Sequence, residues 1–159
     1  MNASRIRRLA RPWLLIVAAG YAGAIAADTA PTEAQKLRHD HFHQLGEAFK
    51  AIRDQSRSKS PAFPALQKAA QAVNDASVDQ GRWFPKGSGP ETGKTRALAE
   101  VWTKPVDFAA AQKLFADSAP QLLAAANAGD IEAVRSSYGT VGKSCKNCHD
   151  TFRQPNDDD

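Results

Sequence analysis

The stretch Val141-Gly142-Lys143-Ser144-Cys145-Lys146-Asn147-Cys148-His149-Asp150-Thr151-Phe152, near the end of the 159-residue chain, decides how the rest is read. Val141, Cys145, Cys148 and Phe152 recur at the three- and four-residue spacing of one helix face. Two thiols one turn apart on a helix can form thioethers with the two vinyl groups along one edge of a porphyrin. His149, adjacent to Cys148, then brings its imidazole beneath the iron. Cys145-Lys146-Asn147-Cys148-His149 is thus the c-type haem attachment pattern.

Three other uses of two cysteines compete with it. A thioredoxin-like dithiol needs a strand–helix context, which the pattern lacks. A zinc site needs four ligands, and only His39, His41 and His43 could supplement Cys145, Cys148 and His149. A disulfide between Cys145 and Cys148 would close a very short loop and stabilise little.

Working outward, residues 131–154 predict a helix carrying Ile131, Val134, Tyr138, Val141, Cys145, Cys148 and Phe152, ended by Pro155 and an acidic tail. Gly139 and Gly142 inside it signal close approach of a porphyrin or of a neighbouring helix. Before it, Gly129 and Asp130 supply a stop and a new N-cap. A helix over 105–128 carries Phe108, Ala111, Leu114, Phe115, Leu122 and Leu123, with a kink expected at Pro120. A short helical turn is expected within 95–102. Residues 81–93 hold Gly81, Pro85, Gly87, Gly89, Pro90 and Gly93 around Trp83 and Phe84, a long irregular loop of the kind that wraps something. An alanine-rich helix is expected over 61–80. Another over 32–57 places Leu37, Phe42, Leu45, Phe49 and Ile52 on a single apolar stripe. Four amphipathic helices with mostly short connections predict an all-α fold, an antiparallel four-helix bundle with a covalently attached c-type haem.

Composition agrees with one globular domain: 42% hydrophobic, 24% charged, 9 Pro. The net charge of +4 suggests a phosphate-binding surface, but its location undoes that reading. Residues 1–27 hold Arg5, Arg7, Arg8 and Arg11 and no acid; the remainder carries 17 basic and 17 acidic residues. Nucleic-acid binding is therefore not expected. The arginines precede Trp13-Leu14-Leu15-Ile16-Val17-Ala18-Ala19 and small residues through Ala27, the build of a secretory signal peptide. That apolar run is too short to span a membrane. The expected domains are a signal at 1–27 and the bundle at 28–159, exported without stable membrane insertion into a bacterial periplasm, where thiols tend to be oxidised.

With these residues in place, the chain resembles the cytochrome c′ family, the class II cytochromes c. The resemblance is carried by Arg38-His39-Asp40-His41-Phe42-His43-Gln44-Leu45-Gly46 and by Trp83-Phe84-Pro85-Lys86-Gly87-Ser88-Gly89. Ala99-Glu100-Val101-Trp102, Ala128-Gly129-Asp130, Tyr138-Gly139-Thr140-Val141-Gly142 and the attachment motif continue it. It implies a four-helix bundle with one haem c bound through Cys145 and Cys148, and His149 as the iron ligand. It further implies a five-coordinate, high-spin iron that binds nitric oxide and carbon monoxide and transfers single electrons with redox protein partners, rather than an enzyme. The resemblance puts Phe42 at the distal position, Arg38 near a haem propionate, Trp83 among the cofactor-binding residues and Arg153 in the proximal pocket. A surface role for Arg38, a core role for Phe42 and a helix-capping role for Arg153 are the rival readings. A homodimer stays open.

Met1 is the only methionine and leaves with the signal, so methionine cannot ligate iron in the mature chain. The alternative is a six-coordinate, low-spin, bis-histidine electron carrier of the same fold. For that role His39, one turn before Phe42, shares its face best, while His41 and His43 are expected to point sideways; the rival and favoured reading makes all three solvated polar residues beside a propionate-bearing edge.

Overall fold

The computed structural model describes residues 30–155; the signal read at 1–27 and the acidic tail lie outside the described residues. Five helices follow in order: α1 (Pro31–Arg57), α2 (Phe63–Asp79), the short α3 (Glu100–Thr103), α4 (Pro105–Ala128) and α5 (Ile131–Phe152). The four long ones form an antiparallel bundle. Among the described residues there is no β-strand, only an isolated antiparallel bridge between Ala97 and Arg153.

Local chemistry sets the boundaries. Pro31 and Pro105 are the first residues of α1 and α4, where a missing N–H costs nothing. Gly129 ends α4 in the left-handed conformation at φ 70°, and Asp130 starts α5 by accepting from the Ala133 N–H at 3.0 Å. The turn between α4 and α5 is therefore only two residues long. α4 continues through Pro120 to Ala128 as one helix.

Several expectations are corrected by packing. The second helix starts at Phe63 rather than 61 and yields its last residue to a 3-10 turn, Gln80–Trp83, where an irregular loop was expected. The helical turn after the loop lies at Glu100–Thr103, later than expected. α5 ends at Phe152 rather than 154, because Arg153 and Gln154 peel off to pair with residues 96–98. On α1 the apolar stripe is displaced. Leu37 is 41% exposed, whereas Gln35 and Arg38 are buried.

The main core gathers Ile52, Leu66, Val73, Phe115, Leu122, Val134 and Val141 from all four long helices. A smaller cluster forms at one end from Val101, Phe108, Ala111 and Phe152, with Phe84, Trp102 and Cys148 against it. α4 lies along both α2 and α5, and α1 along α2, but α1 and α5 meet sparingly. Their meeting points are Arg135, which donates from Nε to the Ser56 carbonyl at 2.9 Å, and Phe49, whose ring stacks on Tyr138 at 4.0 Å. Past Gly142 the two helices take different partners: α1 ties to the loop at 83–95, and α5 to residues 96–98.

Leu122 is fully buried while Leu114, on the same helix, is 49% exposed. Leu122→Ala is expected to destabilise the holoprotein by about 3 kcal/mol and Leu114→Ala by less than about 1 kcal/mol, read from chemical denaturation followed by circular dichroism.

Candidate functional site

Cys145 and Cys148 are both free and half-buried. Cys145 packs against the main core and Cys148 against the smaller cluster, so the attachment motif straddles the two. Burial raises both thiol pKa values, that of Cys148 to about 11, with the neighbouring Cys145 adding to it. His149 follows in the last turn of α5. Partial burial, then the Arg153 charge, lowers its pKa, which favours the neutral imidazole a metal requires. Arg153 is the C-cap residue, its N–H bonded to the His149 carbonyl at 3.2 Å, and its Nη1 lies 3.5 Å from His149 Nδ1. Capping and a place beside the histidine are thus combined in one residue.

The other named residues form a second group. Arg38 is only 3% exposed, which removes the surface reading. Its Nη1 donates to the Trp83 carbonyl at 3.1 Å and to Ser88 Oγ at 2.9 Å. Its Nη2 donates to the Ser88 carbonyl at 2.9 Å and to Thr95 Oγ1 at 3.0 Å. The guanidinium also faces the rings of Phe84 at 5.0 Å and Trp102 at 5.6 Å. All four oxygens are neutral, and burial lowers the guanidinium pKa. One turn earlier, Gln35 Nε2 donates to the Gly89 carbonyl at 2.7 Å and to Thr92 Oγ1 at 3.2 Å. Gly93 allows that approach, since a Cβ there would clash with Gln35 Oε1.

Trp83 and Phe84 are set by this anchoring. Trp83 donates from Nε1 to Asp79 Oδ2 at 3.0 Å and meets Phe42 edge-on at 5.0 Å. Phe42 also approaches Phe84 at 6.0 Å, and Phe84 continues through Phe108 to Phe152 beside Cys148. A chain of rings therefore connects Phe42 on α1 to the end of α5 that bears the motif.

His39 and His43 are exposed, as the solvated reading expects, and His41 departs from it. His41, expected to point sideways, stacks on Trp83 at 4.7 Å and 9°, whereas His39 lies in solvent with Nδ1 3.3 Å from Asp40. The indole reaches round α1 from the 3-10 turn, which helix phase alone does not reveal. None of these histidines joins the cysteines. Among the described residues no group of three or more His, Cys, Asp or Glu is gathered as a metal cage, so the zinc alternative fails on its ligands. A methyl at Gly142 would make only ordinary contact with Phe49, at 3.7 Å, and one at Gly139 would meet nothing. Helix packing therefore does not explain either glycine.

Sequence reasoning missed Gln35, Ser88, Thr92 and Thr95, whose partners lie about fifty residues away, and the pairing of residues 96–98 with the end of α5. The Leu98 N–H bonds the Phe152 carbonyl at 2.9 Å and the Gln154 N–H the Arg96 carbonyl at 2.8 Å. The only available signal was a cluster of small polar residues in a glycine-rich loop. Paired half-buried thiols on one helix face, a neutral imidazole next to them and a wall of partly exposed rings fit a flat, apolar, covalently tethered porphyrin.

Comparison with known proteins agrees. The family model for Cytochrome C′ matches residues 33–153. The cytochrome c′ of Alcaligenes xylosoxydans xylosoxydans is 32% identical over 124 residues, 78% of this chain and 95% of that protein. The crystal structure of cytochrome c′ from Thermochromatium tepidum superposes with a TM-score of 0.75 at 25% identity, covering 81% of this chain and all of that one. A nitric oxide complex of a mutant cytochrome c′ from Alcaligenes xylosoxidans superposes with a TM-score of 0.72 at 26% identity, over 80% of this chain and 98% of that one.

Arg38→Lys keeps the charge but loses the planar fork. It is expected to destabilise the holoprotein by about 2 kcal/mol and to alter the near-ultraviolet dichroism of Trp83 and Trp102. Ser88→Ala removes one acceptor and should cost about 1 kcal/mol in the same denaturation experiment.

Proposed function

The chain belongs to the cytochrome c′ family, and on that premise we propose that it is an exported haem protein of a bacterial periplasm with five-coordinate, high-spin iron. In this reading it binds nitric oxide and carbon monoxide, exchanges single electrons with redox protein partners and is not an enzyme. Proteins of this family carry one haem c, with Cys145 and Cys148 as the attachment points in this chain. When bound, that group supplies an iron that changes oxidation state by one electron and accepts a small gas.

The observation that carries this reading is that, among the described residues, there is no methionine and no histidine gathered with His149. The single methionine is Met1, in the proposed signal. His41 is stacked on Trp83, His39 is paired with Asp40 in solvent, and His43 is exposed. Neither the stack of His41 on Trp83 nor the pairing of His39 with Asp40 gathers these rings with His149, which supports an open sixth position over a bis-histidine iron. Phe42 has no atom that can ligate iron or transfer a proton, and its contacts with Trp83 and Phe84 limit its freedom to move.

Each residue then has a role. His149 in its neutral form would hold the iron, and Arg153, with Nη1 3.5 Å from Nδ1, would put a positive charge and N–H donors beside it, within reach of an incoming ligand on that side. Phe42, held against Trp83 and Phe84, would line the gas-binding pocket and would admit a diatomic gas more readily than larger ligands. Arg38 provides a buried positive charge suited to a haem carboxylate, and Trp83 holds the ring wall together. Phe42 itself supplies no acid or base for cleavage of a peroxide bond, which supports binding over catalysis. The nitric oxide complex of the relative supports the ligand class. Export is supported by the pattern of residues 1–27. Among the described residues no helix is long and apolar enough to cross a membrane.

The visible spectrum of the reduced protein tests this. A high-spin spectrum that shifts on adding carbon monoxide is expected, whereas sharp low-spin bands indifferent to the gas would replace it with the six-coordinate electron carrier. Phe42→Ala should speed carbon monoxide binding on the order of tenfold, a barrier change of about 1.4 kcal/mol, measured by stopped flow.

A further inference from the structure

The haem reading leaves a solvent-exposed flank of α1 unused, and two histidines lie on it. His39 and His43 are four residues apart, one helical turn, and both are exposed. The His39 side chain is 79% exposed, with Nδ1 3.3 Å from Asp40 Oδ1. A proton on Nδ1 donated to that carboxylate leaves the Nε2 lone pair facing water. Asp40 is itself held on its other oxygen by Lys36 Nζ at 3.2 Å. His43 makes no hydrogen bond or ion pair among the described residues. Glu47 follows one further turn along and is exposed, adding negative charge beside the pair. His41 is turned about 200° from His39 around the helix and is stacked on Trp83, so it takes no part.

We propose that His39 and His43 form a two-imidazole site for a divalent transition-metal ion on the solvent face of α1, with Cu²⁺ preferred and water completing the coordination. Imidazoles at this spacing on a rigid helix can bind one ion together, since the second ligand is already in place when the first binds. Two nitrogen donors favour Cu²⁺ over Zn²⁺ and Ni²⁺ by the general order of divalent affinities, and offer little to Mg²⁺ or Ca²⁺. Asp40 acts as a positioning residue: its bond to Nδ1 sets the tautomer and orientation of the His39 ring, the usual arrangement behind a metal-bound histidine.

The test uses ferric holoprotein titrated with copper(II) chloride, followed by isothermal titration calorimetry and by the copper paramagnetic resonance signal. One equivalent bound through nitrogen is expected. His39→Gln and His43→Gln should each weaken it at least about tenfold, with the double variant at background and His41→Gln unchanged. Zinc(II) chloride should bind the same site more weakly. The haem absorption spectrum should be unaltered in His39→Gln and His43→Gln, and far-ultraviolet circular dichroism should show that His41→Gln, which loses a ring stacked on Trp83, remains folded. Absence of a bound equivalent in the unmodified protein would overturn the site. So would equal binding by the double variant, or a loss in His41→Gln as large as in its neighbours.

Discussion

A single buried cation holds the functional end of this molecule in shape. Arg38 emerges from α1 into an environment with two aromatic faces and four neutral oxygens, and with no carboxylate among its hydrogen-bond acceptors. Removing a guanidinium from water costs several kcal/mol unless its N–H groups are met, and here the loop meets them. The loop in return has little apolar content with which to order itself. Ser88, fully buried, is fixed by this side chain, by Gln35 Nε2, which donates to its carbonyl at 3.4 Å, and by Pro85, whose carbonyl accepts from its hydroxyl at 2.8 Å. Because the loop is fixed, Trp83 and Phe84 are fixed, and through them Phe42. Electrostatics on α1 thus determines the geometry of an apolar wall.

The opposite wall depends on α5. Its attachment motif lies where two apolar clusters meet, one thiol on each, and the backbone beyond it is clasped by residues 96–98. The sparing contact between α1 and α5 follows from this. Each helix is engaged by a different part of the long connection between α2 and α4, so that connection holds two helices in place in addition to linking two others. Both the proposed ligand histidine and the proposed distal phenylalanine are positioned by contacts with non-helical chain, although each sits on a helix.

The four long helices were legible because their signals are local. Apolar residues at helical spacing, proline at the first position and glycine at the last act within a turn or two, and their boundaries differ from the structure by a few residues at most. The attachment motif was legible for the same reason, since its chemistry is contained in five consecutive residues. Arg38 was harder. Periodicity assigns an arginine to solvent and a leucine to the core, and on α1 the reverse holds for Arg38 and Leu37, because the loop rather than another helix covers that face. His41 was misplaced by the same omission: helix phase relates it to Phe42, but its position is set by an indole arriving from the 3-10 turn. What remained hidden in each case was a partner distant in the chain.

The two-residue turn between α4 and α5 has a consequence for how this fold tolerates change. Gly129 and Asp130 set the angular phase of α5, and each inserted or deleted residue there would rotate the helix by about 100° relative to its neighbours. Cys145 and Cys148 lie four turns downstream, yet their aim is decided at that corner. A length change far from the thiols would swing them away from both clusters without altering a single ligating atom. The corner therefore works as an indexing joint, and its brevity constrains the chemistry at the far end of the helix as firmly as the identity of the residues there.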